Sequence, residues 1–152
     1  YDHYEISNFA LPGFQCRHNL IYWHNEEYAG FGPGAYSYIG ERRMRNEPAL
    51  DDYLKQPGKK LQKEQLTRHE QQVETLIQHF RLREGIDELY YEHRFGESVD
   101  SLFAASLRRL QQRGLLQRRH NRILPTRKGF HLNNEIGLAL VNPEEPDHSE
   151  QG

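Results

Sequence analysis

A chain of 152 residues, 36 % hydrophobic and 28 % charged, is long enough for one ordinary domain or two small pieces, with a lean core. Its single cysteine excludes an internal disulfide and an all-cysteine metal site within one copy. Three valines argue against a large parallel sheet, and a net charge of −2 gives no global pull toward nucleic acid.

In chain order, the first ten residues, YDHYEISNFA, lack a basic start and an apolar run, so no secretory signal is expected. No apolar stretch approaches the roughly 18 residues of a membrane span, and a cytoplasmic setting is expected. The chain does not open on Met and is read as a piece of a longer protein. Residues 1–45 hold 10 of the 17 aromatics, too many to bury alone, so this segment must complete something larger. Tyr4–Phe9 alternates as a short strand and stops at Leu11-Pro12-Gly13. Tyr36–Ile39 is a second strand, ending at Gly40. Residues 46–62 read as a linker with a short helix near Leu50–Leu54, ended by Gln56-Pro57-Gly58.

From Glu64 the apolar period becomes 3.6: Leu66, Val73, Leu76, Ile77 and Phe80 share the face of a helix running to about Arg83 and closed by Gly85. A second helix is expected over Asp87–Arg94, stopped by Gly96. A third opens near Asp100, turns Leu102, Phe103, Leu107 and Leu110 inward, and ends at Gly114. His120-Asn121 reads as a hairpin turn, and Pro125-Thr126 starts a last helix reaching about Leu140. Three helices, a hairpin and a helix over 63–141 follow the order of a winged-helix module. The acidic tail, 142–152, is expected to be disordered.

Three features carry chemistry. Between Ser101 and Asn134 there are eight Lys or Arg and no acid, either a phosphate-facing surface or a solvated face that meets an acidic partner. His18-Asn19-Leu20-Ile21-Tyr22-Trp23 places an imidazole, able to ligate iron or zinc, beside flat rings; His24 competes as a ligand, and a hydrogen-bonded packing role is the plain alternative. Gly30-Phe31-Gly32-Pro33-Gly34 lacks the dinucleotide-binding spacing; it serves either turns or close approach of backbone to a ligand. Cys16 reads as an ordinary thiol, and no nucleophilic triad or paired-carboxylate constellation follows from spacing.

Several blocks resemble a known family. Tyr4–Ala10, Pro12-Gly13-Phe14, Cys16-Arg17-His18-Asn19 with Tyr22-Trp23, and Gly30–Ala35 are similar to the C-terminal half of the HemW-like radical S-adenosylmethionine haem chaperones, relatives of oxygen-independent coproporphyrinogen III oxidase. Leu82–Asp87, Arg94-Phe95-Gly96, Arg113–Leu116, Leu124–Gly129 and Asn133-Asn134-Glu135 extend the resemblance to about residue 140. It implies an α+β chain: 1–45 as the last strands of an incomplete (β/α) barrel, then 63–141 as a winged-helix-like domain. It also implies a haem site at His18, Asn19, Tyr22 and Trp23, with His18 on the iron, and a cofactor-side strand at Gly32, Gly34, Ala35 and Tyr36. Tyr36 departs from the family, which usually carries His there. The implied cofactors are haem, with S-adenosyl-L-methionine and a [4Fe–4S] cluster in the whole protein, the cluster on cysteines outside this chain. The implied partners are haem-accepting proteins and the protein's own N-terminal barrel; nucleic acid is not the expected partner. The chain alone is expected to be catalytically silent. A parent acting as the porphyrinogen oxidase itself, or a winged-helix nucleic-acid binder, are the competing readings.

Overall fold

The computed structural model describes residues 1–142; the tail expected over 142–152 lies, past its first residue, outside the described residues. Strands β1 (Asp2–Glu5) and β2 (Asn8–Ala10) form an antiparallel hairpin. The single strand expected over Tyr4–Phe9 is therefore corrected to a turn between two strands. Its cause is Glu5, fully buried, whose carboxylate accepts from the Ser7 N–H at 2.9 Å and from the Asn8 amide. No Gly or Pro marks that turn. The hairpin is tied to the rest of the chain where Ile6 N–H donates to the Arg81 carbonyl and Arg83 N–H to the Tyr4 carbonyl, both at 3.0 Å.

A short helix, α1 (Arg17–Trp23), follows. Then β3 (Tyr36–Ile39), β4 (Arg42–Asn46) and β5 (Lys60–Gln65) make an antiparallel sheet in that order, with α2 (Leu50–Lys55) between the last two. The span 46–62 thus contains the expected helix, but its end enters a strand. Pairing from Arg42↔Gln65 to Asn46↔Lys60 holds β5 in place, and its polar composition gives little sequence signal.

Helix α3 (Arg68–His79) begins four residues after the expected Glu64, because the chain up to Gln65 is spent in β5. Thr67 and Glu70 then close a reciprocal capping box. Next come β6 (Ile86–Asp87), α4 (Glu88–Phe95) and α5 (Asp100–Gln112). Asp87 caps α4 by accepting from the Leu89 N–H at 2.9 Å, and Gly96 ends it in the left-handed region at φ 67°. Strands β7 (Leu116–Arg119) and β8 (Arg122–Pro125) turn at His120 (φ 52°), as expected, and pair with β6 in the order β6-β8-β7. The single last helix is instead two, α6 (Arg127–His131) and α7 (Asn133–Val141), broken where Leu132 leaves helical geometry.

The apolar core lies here. Leu76, Phe80, Ile86, Tyr91, Leu107, Leu110, Ile123 and Ile136 are all essentially without exposure and pack as one cluster. Leu102, expected inward, is 51 % exposed. The inward stripe of α5 runs through Phe103, Leu107 and Leu110, and a residue one position earlier is rotated about 100° away. Gly129 lets α6 touch the chain just before β7: a Cβ there would overlap the Leu115 carbonyl, which already accepts from the Thr126 N–H at 2.9 Å.

Candidate functional site

Helix α1 carries His18 and Tyr22 four residues apart, so the two rings lie on one face. They meet edge to face at 4.9 Å, and His18 Nε2 lies 3.5 Å from the Tyr22 hydroxyl. Tyr22 in turn meets Tyr28 edge to face at 4.5 Å. Tyr28 is fixed by paired backbone bonds of 2.9 Å with Tyr38, which align the loop after α1 with β3. These residues open on a cleft of about 900 Å³ walled by His18, Tyr22, Tyr28, Phe31, Tyr36 and Arg43. The imidazole is exposed. Phe31 is 88 % and Tyr36 47 % exposed, so flat apolar surface stands open beside it. Burial pushes the Tyr28 phenol above its ordinary value, against the pull of Arg43. Arg43 is held by Glu74 at 2.5 Å and Glu64 at 3.6 Å, while the Arg45 guanidinium lies 5.3 Å from the Tyr36 ring centre.

The far wall depends on Asn46, 2 % exposed. Its amide donates to the carbonyls of Gly30 (3.2 Å) and Gly32 (2.8 Å), and its oxygen accepts from Lys60 at 2.5 Å. A Cβ on Gly30 would overlap the Tyr36 carbonyl oxygen, so this close strand approach requires glycine. The N–H groups of Gly30, Gly32 and Gly34 are all used inside the fold, by the Ser37 hydroxyl, the Tyr53 hydroxyl and the Glu47 carbonyl. Of the four expected cofactor-side residues, Ala35 and Tyr36 line the cleft; Gly32 and Gly34 shape the loop behind it.

The structure separates the haem-side set in the same way. His18 and Tyr22 line the cleft, but Asn19 and Trp23 are not among its lining residues. Trp23 lies under the Arg81 guanidinium at 5.1 Å, its indole N–H buried and without a hydrogen-bond partner among the described residues. His24, the competing ligand, is instead engaged by Glu84 at 3.2 Å and Glu26 at 3.8 Å. Tyr28, Phe31 and Arg43 were missed by sequence reasoning. Phe31 lay within the glycine run, whereas isolated Tyr28 and Arg43 gave no periodic signal.

Behind α1 the chain is joined to α3 and α4. Asn25, at φ 52°, donates from its amide to the Thr75 hydroxyl at 3.1 Å, and Arg94 donates to the Asn25 carbonyl at 3.3 Å. His79 sits in this joint, 5 % exposed, its Nδ1–H donating to the Thr75 carbonyl at 2.8 Å. Burial pushes its pKa from 6.5 down to about 4, with the Thr75 bond opposing. The fold keeps this ring neutral, whereas the unfolded chain takes up a proton below about 6.5. Its contribution is therefore whole above pH 6.5 and is lost as pH falls toward about 4, on the order of 3 kcal/mol in all. Urea midpoints measured across that window should fall with pH, and His79→Gln should flatten the slope.

At least three of the eight basic residues between Ser101 and Asn134 are paired with acids within the fold. Arg118 pairs with Asp100 (2.9 Å) and Glu88 (3.0 Å), Arg122 with Asp87 (3.4 Å), and Arg113 with Glu135.

Residues 66–132 match the HemN C-terminal domain family. The chain is 37 % identical over 138 residues to the heme chaperone HemW of Lactococcus lactis, covering 90 % of this chain and 36 % of that protein. It is 35 % identical over 142 residues to the heme chaperone HemW of Bacillus subtilis, covering 91 % and 38 % respectively. The chain thus spans a little over a third of the length of these relatives. The solved structure of coproporphyrinogen III oxidase (HemN) from Escherichia coli, described as a radical SAM enzyme, shares the fold at a TM-score of 0.61 over 76 % of this chain and 28 % of that one, with 22 % identity.

Proposed function

From a chain that belongs to the HemW-like family, with the HemN-type C-terminal domain at residues 66–132, we infer that this is the part of a haem chaperone that receives the haem. The observation that carries the reading is the exposed His18 imidazole at the mouth of an aromatic cleft. The donor set fits the cargo. A neutral imidazole nitrogen suits iron; Tyr22, Tyr28, Phe31 and Tyr36 offer flat faces to a macrocycle; Arg45, over the Tyr36 ring, stands near for its carboxylates. Within this arrangement His18 and Tyr22 hold the cargo, Ala35 and Tyr36 face the cofactor side, and Asn19 and Trp23 support α1 from its other face. Gly32 and Gly34 act by shaping the loop.

The same family reading places S-adenosyl-L-methionine and a [4Fe–4S] cluster in the whole protein. This chain does not fit the cluster: its single cysteine, Cys16, is exposed, and among the described residues no group of three or more His, Cys, Asp or Glu is arranged to hold a metal ion. In this reading residues 1–45 complete a barrel supplied by the rest of the protein, and 63–141 form the winged-helix-like domain. The order α3, β6, α4, α5, β7, β8 supports that assignment. The partners are haem-accepting proteins, in the cytoplasm. Among the described residues no helix is long and apolar enough to cross a membrane. The ion pairs of Arg113, Arg118 and Arg122 argue against the nucleic-acid alternative.

Titration of the chain with ferric haem tests the reading. A saturating, ligand-shifted absorption band at one haem per chain is expected. A spectrum that remains that of free haem throughout contradicts it.

A further inference from the structure

A second cleft, of about 580 Å³, lies between the N-terminal hairpin and the β7–β8 hairpin with α6. Three guanidinium groups line it: Arg83, Arg119 and Arg127. No acid is among its lining residues. The basic stretch divides at this point. Arg113, Arg118 and Arg122 are spent on carboxylates, whereas Arg119 donates to the Gln117 side chain, at 3.1 Å. Among the described residues, neither Arg83, Arg119 nor Arg127 has a carboxylate within ion-pair distance. Unopposed like charges around one concavity repel, and an anion between them relieves that repulsion while taking forked hydrogen bonds.

Aromatic rings also line the cleft. His3 stacks on Phe9 at 4.2 Å with the rings 12° apart, and Phe130 meets His3 edge-on at 5.1 Å. Phe9 is 62 % exposed, so one face of that stack stays open. A concavity of this volume, with a few converging polar groups over aromatic walls, is of the size and make-up that takes a small molecule.

We propose that this cleft binds a planar aromatic small molecule carrying phosphate or carboxylate groups, its ring on the His3–Phe9 stack and its anionic groups on Arg83, Arg119 and Arg127. The site is separate from the His18 cleft and stands or falls independently of it. The test is calorimetric titration of the full 152-residue chain with two probes, adenosine triphosphate and pyrene-1-carboxylate. Saturable binding of at least one is expected. It should weaken at least tenfold in R83A/R119A/R127A and hold in R42A, where an arginine bonded to Gln65 outside the cleft is removed. Binding should also hold in His18→Ala. A response to one probe alone identifies which of the two, the nucleoside triphosphate or the aromatic carboxylate, the cleft accepts. The three arginines are exposed and, among the described residues, make no ion pair, so the triple variant is expected to fold. Arg127→Ala alone, expected to weaken binding severalfold, repeats the test with one change. Saturation by neither probe up to ~1 mM, or an unchanged affinity in the triple variant, overturns the proposal.

Discussion

His18→Ala is expected to abolish the ligand-shifted haem band of the chain and to weaken haem binding at least tenfold, a loss of about 1.4 kcal/mol or more. The ring is exposed, and its nearest polar contact is the Tyr22 hydroxyl at 3.5 Å, so the substitution costs the fold little. Two controls separate ligation from packing. Tyr22→Phe removes only that hydroxyl and keeps the ring against Tyr28, so the band should persist with little loss. His24→Ala should leave the band unchanged, because His24 is engaged by Glu84 and Glu26. A band surviving His18→Ala but lost with His24→Ala would reverse the assignment.

Phe80→Ala is expected to destabilise the chain by about 3–5 kcal/mol, a large fraction of the roughly 5–15 kcal/mol available to a domain of this size. The side chain is fully buried in the cluster shared by α3, β6, α5, β8 and α7, and its carbonyl accepts from the Asn133 amide at 2.7 Å. Removing the ring leaves a cavity that surrounding helices, pinned by that bond and by the strands, cannot close. Urea unfolding followed by circular dichroism checks it. A loss below about 1 kcal/mol would mean that the core relaxes far more than its packing implies.

What was legible in the sequence follows from how local each signal is. Helices α3, α4 and α5 announce themselves by apolar period and by end residues such as Asp87, Gly96 and Gly114, all acting within one turn. The β7–β8 turn at His120 was equally local. Helix α1 was not legible. It has no side-chain cap and no acid in its first turn, and it exists because Leu20, Ile21 and Trp23 are half-buried against the rest of the chain. Strand β5 is held by pairing with β4 alone, and the turn after Glu5 by a buried carboxylate, both long-range or unusual causes. The site shows the same divide. His18 and Tyr22 were nameable from the motif, yet the motif did not say that Trp23 turns to Arg81, because that depends on α1 being helical. Tyr28 and Arg43 reach the cleft through sheet pairing that no spacing rule carries.

The central assignment is tested most directly by histidine-selective magnetic resonance during titration with zinc protoporphyrin, a diamagnetic macrocycle that accepts one imidazole. The chain has nine histidines, so the experiment identifies which one sits on the metal. The His18 ring signals should move strongly upfield under the macrocycle's ring current and stop moving at one equivalent, while His24 and His79 keep their positions. Saturation with the His18 signals unmoved would contradict the account.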